Sequence, residues 1–308
     1  MNPILEYLLF PGFLFTAVVG MIASYIDRKV TARVQWRVGP PILQPLYDIV
    51  KLMYKEIVIP RGCSKFTFLF APLLGLVSVS LVSTILWTSL LNLKAGFTGD
   101  LIVVLYLLMM PSIGVILGGF ASHNPIASLG ASREMKLMLA DELPFLLAVL
   151  VPVIQSGVTI KLGEVIAYQN TYGPVAGSVS GVLALIVAVI AMQAKLTLVP
   201  FDLPEAETEL MGGVFVEYSG PPLGMFLLTR MMMLFTVPML LVSLFLGGVY
   251  FHGWQIIVSI LKYVLFLVLI VLIRNTNPRV RIDQALRFFW GPMTILGILA
   301  VVLALLGW

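Results

Sequence analysis

Eight apolar runs punctuate the chain, at Ile4–Ile26, Phe66–Leu91, Leu101–Ala121, Leu143–Ser156, Ser178–Leu198, Leu223–Leu246, Trp254–Ile273 and Gly291–Trp308. Most approach the ~20 residues that a helix needs to cross the hydrocarbon core of a bilayer. The fourth is short and borrows residues from Met135 onward. The pattern predicts an all-α polytopic membrane protein with about eight transmembrane helices, and an even number puts both termini on the same side. No polar stretch is long enough to fold separately, so residues 1–308 read as a single membrane domain. The first run does not read as a cleaved signal: it lacks a basic leader, carries Glu6 and has no small-residue cleavage site. No internal repeat is visible.

The connection between the first two runs is too long for a simple loop. Within Leu43–Ile57, the apolar residues Leu46, Ile49, Val50, Met53 and Ile57 recur at helical spacing, while Asp48, Lys51 and Lys55 lie elsewhere on the helix. This predicts an amphipathic helix lying along the membrane surface and ended by Pro60. It either covers the edge of the protein, walls a pocket or seats a partner.

Composition agrees with a bilayer setting: 60% of residues are hydrophobic and 11% charged, against roughly 25% charged in soluble domains. The single cysteine, Cys63, excludes a disulfide framework and any iron–sulfur cluster ligated by this chain alone. His123 and His252 stand far apart without a ligand pattern, so no metal site is expected. The net charge of +4 does not point to nucleic acid, because the basic residues follow membrane topology. The first loop carries Arg28, Lys29, Arg33, Arg37, Lys51, Lys55, Arg61 and Lys65. The third adds Arg133 and Lys136, the fifth begins at Lys195, and the seventh holds Arg274, Arg279, Arg281 and Arg287. The even-numbered loops offer only Lys94 and Lys161. The positive-inside rule then makes the odd-numbered loops cytoplasmic, with both termini outside the cell membrane.

Most acids collect on the same side, among them Asp27, Asp48, Glu56, Glu134, Asp141, Glu142 and Asp283. The densest group is Pro200–Gly220, with Asp202, Glu205, Glu207, Glu209 and Glu217 between two apolar runs. Carboxylates at such a place are expensive unless something uses them. Asp202-Leu203-Pro204-Glu205 fits a helix start, which would account for Asp202 and Glu205 as caps. Glu205 and Glu209, four apart, share a helical face and repel when both are ionised, which pushes one pKa up into a proton-handling range. Sodium binding to the same carboxylates is the alternative. Glu217-Tyr218-Ser219-Gly220-Pro221-Pro222 breaks regular structure before the sixth run. Glu142, beside Asp141, is the candidate companion from another loop, although Asp141-Glu142-Leu143-Pro144 also fits a helix start.

Arg133 is placed to answer some of this acidity. Arg230, about two turns into the sixth run, can snorkel to the cytoplasmic face. Lys262 falls near mid-bilayer, where a lysine normally faces the bundle interior and meets a carboxylate or water. The methionine pairs and triplets read as packing.

These residues resemble the subunit 1 family of respiratory complex I and its relatives in membrane-bound hydrogenases. Asp27-Arg28-Lys29, Gln35-Trp36-Arg37-Val38-Gly39-Pro40, Leu43-Gln44-Pro45-Leu46-Tyr47-Asp48 and Lys51-Leu52 with Lys55-Glu56 resemble the first loop of that family. Leu129-Gly130-Ala131-Ser132-Arg133 resembles its third. The most specific match is Pro200-Phe201-Asp202-Leu203-Pro204-Glu205-Ala206-Glu207 with Glu209-Leu210, followed by Glu217-Tyr218-Ser219-Gly220. Departures from complex I are Pro41 after Gly39-Pro40, Ala140-Asp141-Glu142 in the third loop, and Arg230 where that pattern places an acid. Together with Asn275–Gln284, they favour the ferredoxin-linked [NiFe]-hydrogenase or sulfur-reducing relatives.

The resemblance implies a membrane anchor for a peripheral redox arm, with no redox cofactor in this chain. Iron–sulfur clusters, and a nickel–iron centre in the hydrogenases, would sit on partner subunits. Other membrane subunits, including antiporter-like ones, and the lipid bilayer complete the expected partners. Ion translocation is expected to involve Asp141, Glu142, Asp202, Glu205, Glu207, Glu209, Glu217 and Lys262, and arm docking Arg28, Arg33, Arg37, Arg133, Arg279 and Arg281.

Overall fold

Charged residues do not stop a helix whose backbone hydrogen bonds continue, and this sets the true length of several spans. In the computed structural model, which describes residues 3–250 and 253–308 apart from the side chains of Pro3, Glu207 and Thr208, every regular element is helical. His252 lies outside the described residues. A short α1 (Pro3–Leu8) leads into α2 (Phe13–Val34), so the first span runs well beyond Ile26 and takes Asp27, Arg28, Lys29 and Arg33 out of the first loop. Nothing between Ile26 and Val34 breaks a helix; the first breakers are Gly39-Pro40-Pro41.

The amphipathic helix is α3 (Gln44–Met53), which ends at Met53 rather than reaching Pro60. Ile49 is buried, whereas Leu46, Val50 and Met53 stay exposed on the outer side. Then come α4 (Lys65–Leu91), α5 (Asp100–Ala121) and α6 (Pro125–Gln155). At 31 residues α6 is far longer than the predicted Leu143–Ser156. Arg133, Glu134, Asp141 and Glu142 are therefore helical rather than loop residues, and Asp141-Glu142-Leu143-Pro144 lies mid-helix instead of starting one.

An unexpected α7 (Leu162–Tyr172) fills the fourth connection. Its backbone is tied down where the Leu162 N–H donates to Asp100 Oδ1 at 2.7 Å. Gln169 donates to the carbonyls of Ser243 and Leu244 at 3.0 and 3.1 Å. The fifth span is α8 (Val179–Lys195), followed by a mostly irregular stretch holding only α9 (Glu207–Leu210) and a 3-10 turn at Gly213–Phe215. After it run α10 (Gly220–Phe245), α11 (Gln255–Thr276), α12 (Ile282–Phe288) and α13 (Thr294–Leu305), the last two joined by a π-helical turn at Phe289–Met293. The eighth span thus starts at Ile282 rather than Gly291. Seven helical segments are long and apolar enough to cross a membrane, and the shorter α8 makes the eighth.

The centre of the bundle is α10, apolar nearly all round and buried against α2, α3, α4 and α11. Close backbone approach needs small residues here. A Cβ on Gly20 of α2 would lie 2.6 Å from the Met231 carbonyl oxygen of α10. A Cβ on Gly130 of α6 would lie 2.7 Å from the Pro204 carbonyl, which seats the acidic stretch directly on α6. Irregular backbone is thereby packed against protein, as its depth requires.

Candidate ion-handling site

Residues seven apart on a helix share a face, and α6 uses this to place Glu134 and Asp141 inward; both are 2% exposed. Across from them, the last turn of α8 delivers Lys195. Its Nζ lies 2.5 Å from Glu142 Oε2 and 3.4 Å from Asp141 Oδ2, and 4.8 Å from the centre of the Phe145 ring. One cation thus serves two carboxylates in a dry setting, where each charge needs a partner.

The chain can turn sharply after Lys195 because α8 ends in a Schellman motif. The Leu198 N–H reaches the Gln193 carbonyl at 3.2 Å and the Thr197 N–H reaches that of Ala194 at 2.9 Å. The left-handed position, φ 49°, is held by Thr197 instead of a glycine. A β-branched residue there is strained. The Thr197 Oγ1 accepts a hydrogen bond from Arg230 Nη2 at 3.1 Å.

Arg230, reaching from α10, grips Glu205 with both terminal nitrogens; the Nη1–Oε2 distance is 3.0 Å. It also lies 5.7 Å from the centre of the Phe215 ring. Arg230 therefore pairs with the acidic stretch rather than snorkelling away from it. A cavity of about 50 Å³ is lined by Glu134, Lys195, Thr197 and Arg230 together with Ser112 and Thr229. By the ~10–15 Å³ that one water needs, there is room for a few. Glu134 Oε2 has no hydrogen-bond partner among the described residues.

A second cavity of about 200 Å³ lies on the other side of Arg230, lined by Ser24, Asp27, Arg28, Leu198 and Arg274. Asp27, buried on α2, accepts two hydrogen bonds from Arg274 of α11, at 2.9 and 3.2 Å. Arg28 bonds Asp48 of α3 at 2.6 Å. Burial works against the Asp48 charge, but hydrogen bonds from Arg28 and Gln44 outweigh it and hold this carboxyl below the usual aspartate range.

The acidic stretch does not cap a helix in the way its spacing suggests. Asp202 and Glu205 sit in turns, and their side chains go to arginines: Asp202 to Arg279 at 2.8 Å, Glu205 to Arg230. Glu209 pairs with Arg133 at 2.6 Å, so Glu205 and Glu209 are each neutralised separately instead of facing each other. Glu217 accepts from Asn124 Nδ2 at 2.5 Å, at the start of α6. The Glu207 side chain lies outside the described residues. Tyr218 is stacked on Phe68 at 4.1 Å between centroids and donates to the Phe68 carbonyl; burial pushes its phenol well up, so it remains a neutral anchor.

Burial raises the Asp202 pKa above the ordinary 3.8, despite the opposing pull of Arg279. A carboxyl raised on folding favours the protonated folded state. Its contribution is full below pH ~3.8 and disappears as pH rises through the folded value. Wild type should therefore gain thermal stability relative to Asp202→Asn on acidification towards pH 4, in parallel melting curves; a constant difference across pH would contradict this.

Lys262 stands apart. Its Nζ donates to the Leu246 carbonyl at the end of α10, at 2.5 Å, and lies 5.1 Å from the Tyr250 ring centre. That is roughly 24 Å along α10 from Arg230, at 1.5 Å rise per residue. It meets a carbonyl, not a carboxylate. Lys262→Met is expected to lower stability by about 1–2 kcal/mol through the orphaned carbonyl, with the ratio of ions moved per electron unchanged. A loss of coupling with normal melting would return Lys262 to the path.

Among the expected docking arginines, Arg28, Arg133 and Arg279 form ion pairs inside the chain, while Arg33, Arg37 and Arg281 are exposed. Sequence patterns alone do not single out Glu134, Lys195 or Arg230 as site residues. The spacing of Glu134 and Asp141 is the available signal; Lys195 and Arg230 give none, because their partners are distant in sequence.

A family model described as NADH dehydrogenase matches residues 7–305. The H-type membrane component of the NADH-quinone oxidoreductase of Thermomicrobium roseum is 35% identical, over 97% of this chain and 94% of that protein. That of Geobacillus kaustophilus is 33% identical, over 95% and 91%. A chain of the membrane-bound sulfane sulfur reductase, an archaeal respiratory membrane complex, superposes with a TM-score of 0.86 at 28% identity, covering 99% of this chain and 100% of that one. With end-to-end similarity in both sequence and fold, the chain belongs to the NADH dehydrogenase subunit 1 family.

Proposed function

We propose that this protein is the membrane-anchor and coupling subunit of a membrane-bound respiratory oxidoreductase complex of the ferredoxin-linked, hydrogenase or sulfur-reducing type. In this reading it docks a peripheral redox arm and begins the H⁺ or Na⁺ path with buried carboxylates. The observation that carries it is Glu134: a buried acid with an unpartnered oxygen, facing a polar cavity beside Lys195 and Arg230. Such a group can gain and lose a cation without breaking an ion pair. Asp141, Glu142, Asp202, Glu205, Glu207, Glu209 and Glu217 supply the surrounding negative charge, with both termini outside the cell membrane and the odd-numbered loops in the cytoplasm. Peripheral iron–sulfur and hydrogenase-like subunits carry the redox centres, Arg33, Arg37 and Arg281 face the arm, and antiporter-like membrane subunits continue the path.

A second reading makes the chain part of a quinone chamber, and the cavity of about 200 Å³ bounded by α2, α10 and α11 favours it. The lining argues the other way, because Asp27, Arg28, Arg230 and Arg274 surround it with charge. Purification of the native complex with its subunits separates the two. Turnover with reduced ferredoxin and no quinone, insensitive to quinone-site inhibitors, is the expected result. Quinone-dependent turnover blocked by those inhibitors would replace the first reading with the second.

A further inference from the structure

Arg230 and its neighbour Leu196 line both cavities, the one around Glu134 and the one beside Asp27 and Arg274. A guanidinium does not lose its proton at any physiological pH, so Arg230 cannot relay one. It is a fixed positive charge standing between two spaces able to hold water. A like charge about 4 Å from it, at intermediate dielectric, is disfavoured by roughly a thousandfold. Two groups hold it there: the bidentate grip of Glu205 and the hydroxyl of Thr197. The backbone strain at Thr197, φ 49° on a β-branched residue, lies at this contact. The next carboxylates acting on its charge are Glu134 and Asp202, one on α6 and one in the acidic stretch. Arg230 therefore has an alternative partner within the cavity, and that partner has an oxygen unbonded.

We propose that Arg230 is the electrostatic barrier between these two cavities, clamped by Glu205 and Thr197, and that its release from Glu205 opens the route for the translocated cation. This rests on the ion-path reading given above. While clamped, the arginine stops cations from running back when electrons are not flowing. Released, it swings towards Glu134, and the two cavities join past it. Arg230 is a positioning residue in this scheme, because it never carries the ion.

The test uses the purified complex in proteoliposomes, with an imposed H⁺ or Na⁺ gradient and no electron donor, and reads the passive decay rate. Arg230→Gln is expected to raise the leak at least tenfold and to lower the ions moved per electron while electron transfer continues. Glu205→Gln, which loosens the clamp, should leak less than that but more than wild type. Arg230→Lys keeps the charge without the fork and should restore most of the barrier. If the single variants do not assemble, Arg230→Gln with Glu205→Gln removes both charges together and leaves no unpaired ion; it too should leak. Leak rates at the wild-type level in the variants that assemble would overturn the barrier. Glu134→Gln distinguishes the two levels of the argument. Lost translocation in Glu134→Gln beside tight Arg230 variants removes the barrier alone, whereas full translocation in Glu134→Gln removes the ion path itself.

Discussion

Lys195→Met is expected to destabilise the folded chain by about 3–5 kcal/mol, the range for removing one partner of a buried ion pair. The reason is arithmetic of charge. Lys195, Asp141 and Glu142 have side chains 5%, 3% and 15% exposed, and the ammonium lies within 3.4 Å of both acids. Methionine fills the same volume and leaves two carboxylates in a low-dielectric site without a counter-ion. At least one must take up a proton, and each still lacks the donor it had. A loss of that size is a large share of the 5–15 kcal/mol typical of a folded domain, so the yield of assembled complex should fall sharply. Lys195→Met combined with Asp141→Asn and Glu142→Gln should recover much of the yield, since nothing charged is left unpaired. Melting temperature and complex yield check both. A single variant that assembles and melts like wild type would mean that the pair is already neutral in the folded protein.

The span count was legible in the apolar runs, because a bilayer imposes a length that few other environments do. The surface helix was legible for a similar reason: Leu46, Ile49, Val50 and Met53 repeat at the helical period. Span boundaries were not. Reading Asp27 as the end of the first helix and Leu143 as the start of the fourth assumes that charges sit in water. In the fold, Asp27 is held inside by Arg274, 247 positions away, and Asp141 by Lys195. Partners at that separation leave no mark on the local pattern. Helix continuity depends on breakers instead, and Pro144 and Pro152 are both accommodated within α6.

The acidic stretch shows the same limit at the level of chemistry. Its spacing satisfied a capping rule and a same-face repulsion rule, and the fold uses neither. Gly130 lets the segment lie against α6, and once there the arginines of α10, α6 and the turn after α11 each claim one carboxylate. Tertiary ion pairing won over local propensity. What the sequence could not reveal was the residue left over. Glu134 reads in the chain as one acid of a basic–acidic pair with Arg133, but only Arg133 points to the acidic stretch.

Glu134→Gln should therefore abolish ion movement while sparing assembly. A glutamine in its place would keep the shape and the hydrogen-bonding capacity of the side chain, and no ion pair within hydrogen-bond reach is lost, since Glu134 has no such partner among the described residues. Removing a buried charge that lacks a direct counter-ion relieves desolvation, so the melting temperature should hold or rise. The function has no such tolerance. Glutamine can neither take up a proton nor balance a sodium ion, and the cavity of about 50 Å³ would keep Lys195 and Arg230 as its nearest charges, both positive. A cation entering there would meet repulsion with nothing to offset it. In inverted membrane vesicles energised with reduced ferredoxin, the gradient should fall to the level seen with an ionophore, and electron transfer should slow less than ion movement. Glu134→Asp retains the titrating group one methylene short and should keep part of the activity, which separates chemistry from packing. Glu134→Gln vesicles that build a wild-type gradient would remove the acid from the path and, with it, the central reason for placing the path through α6.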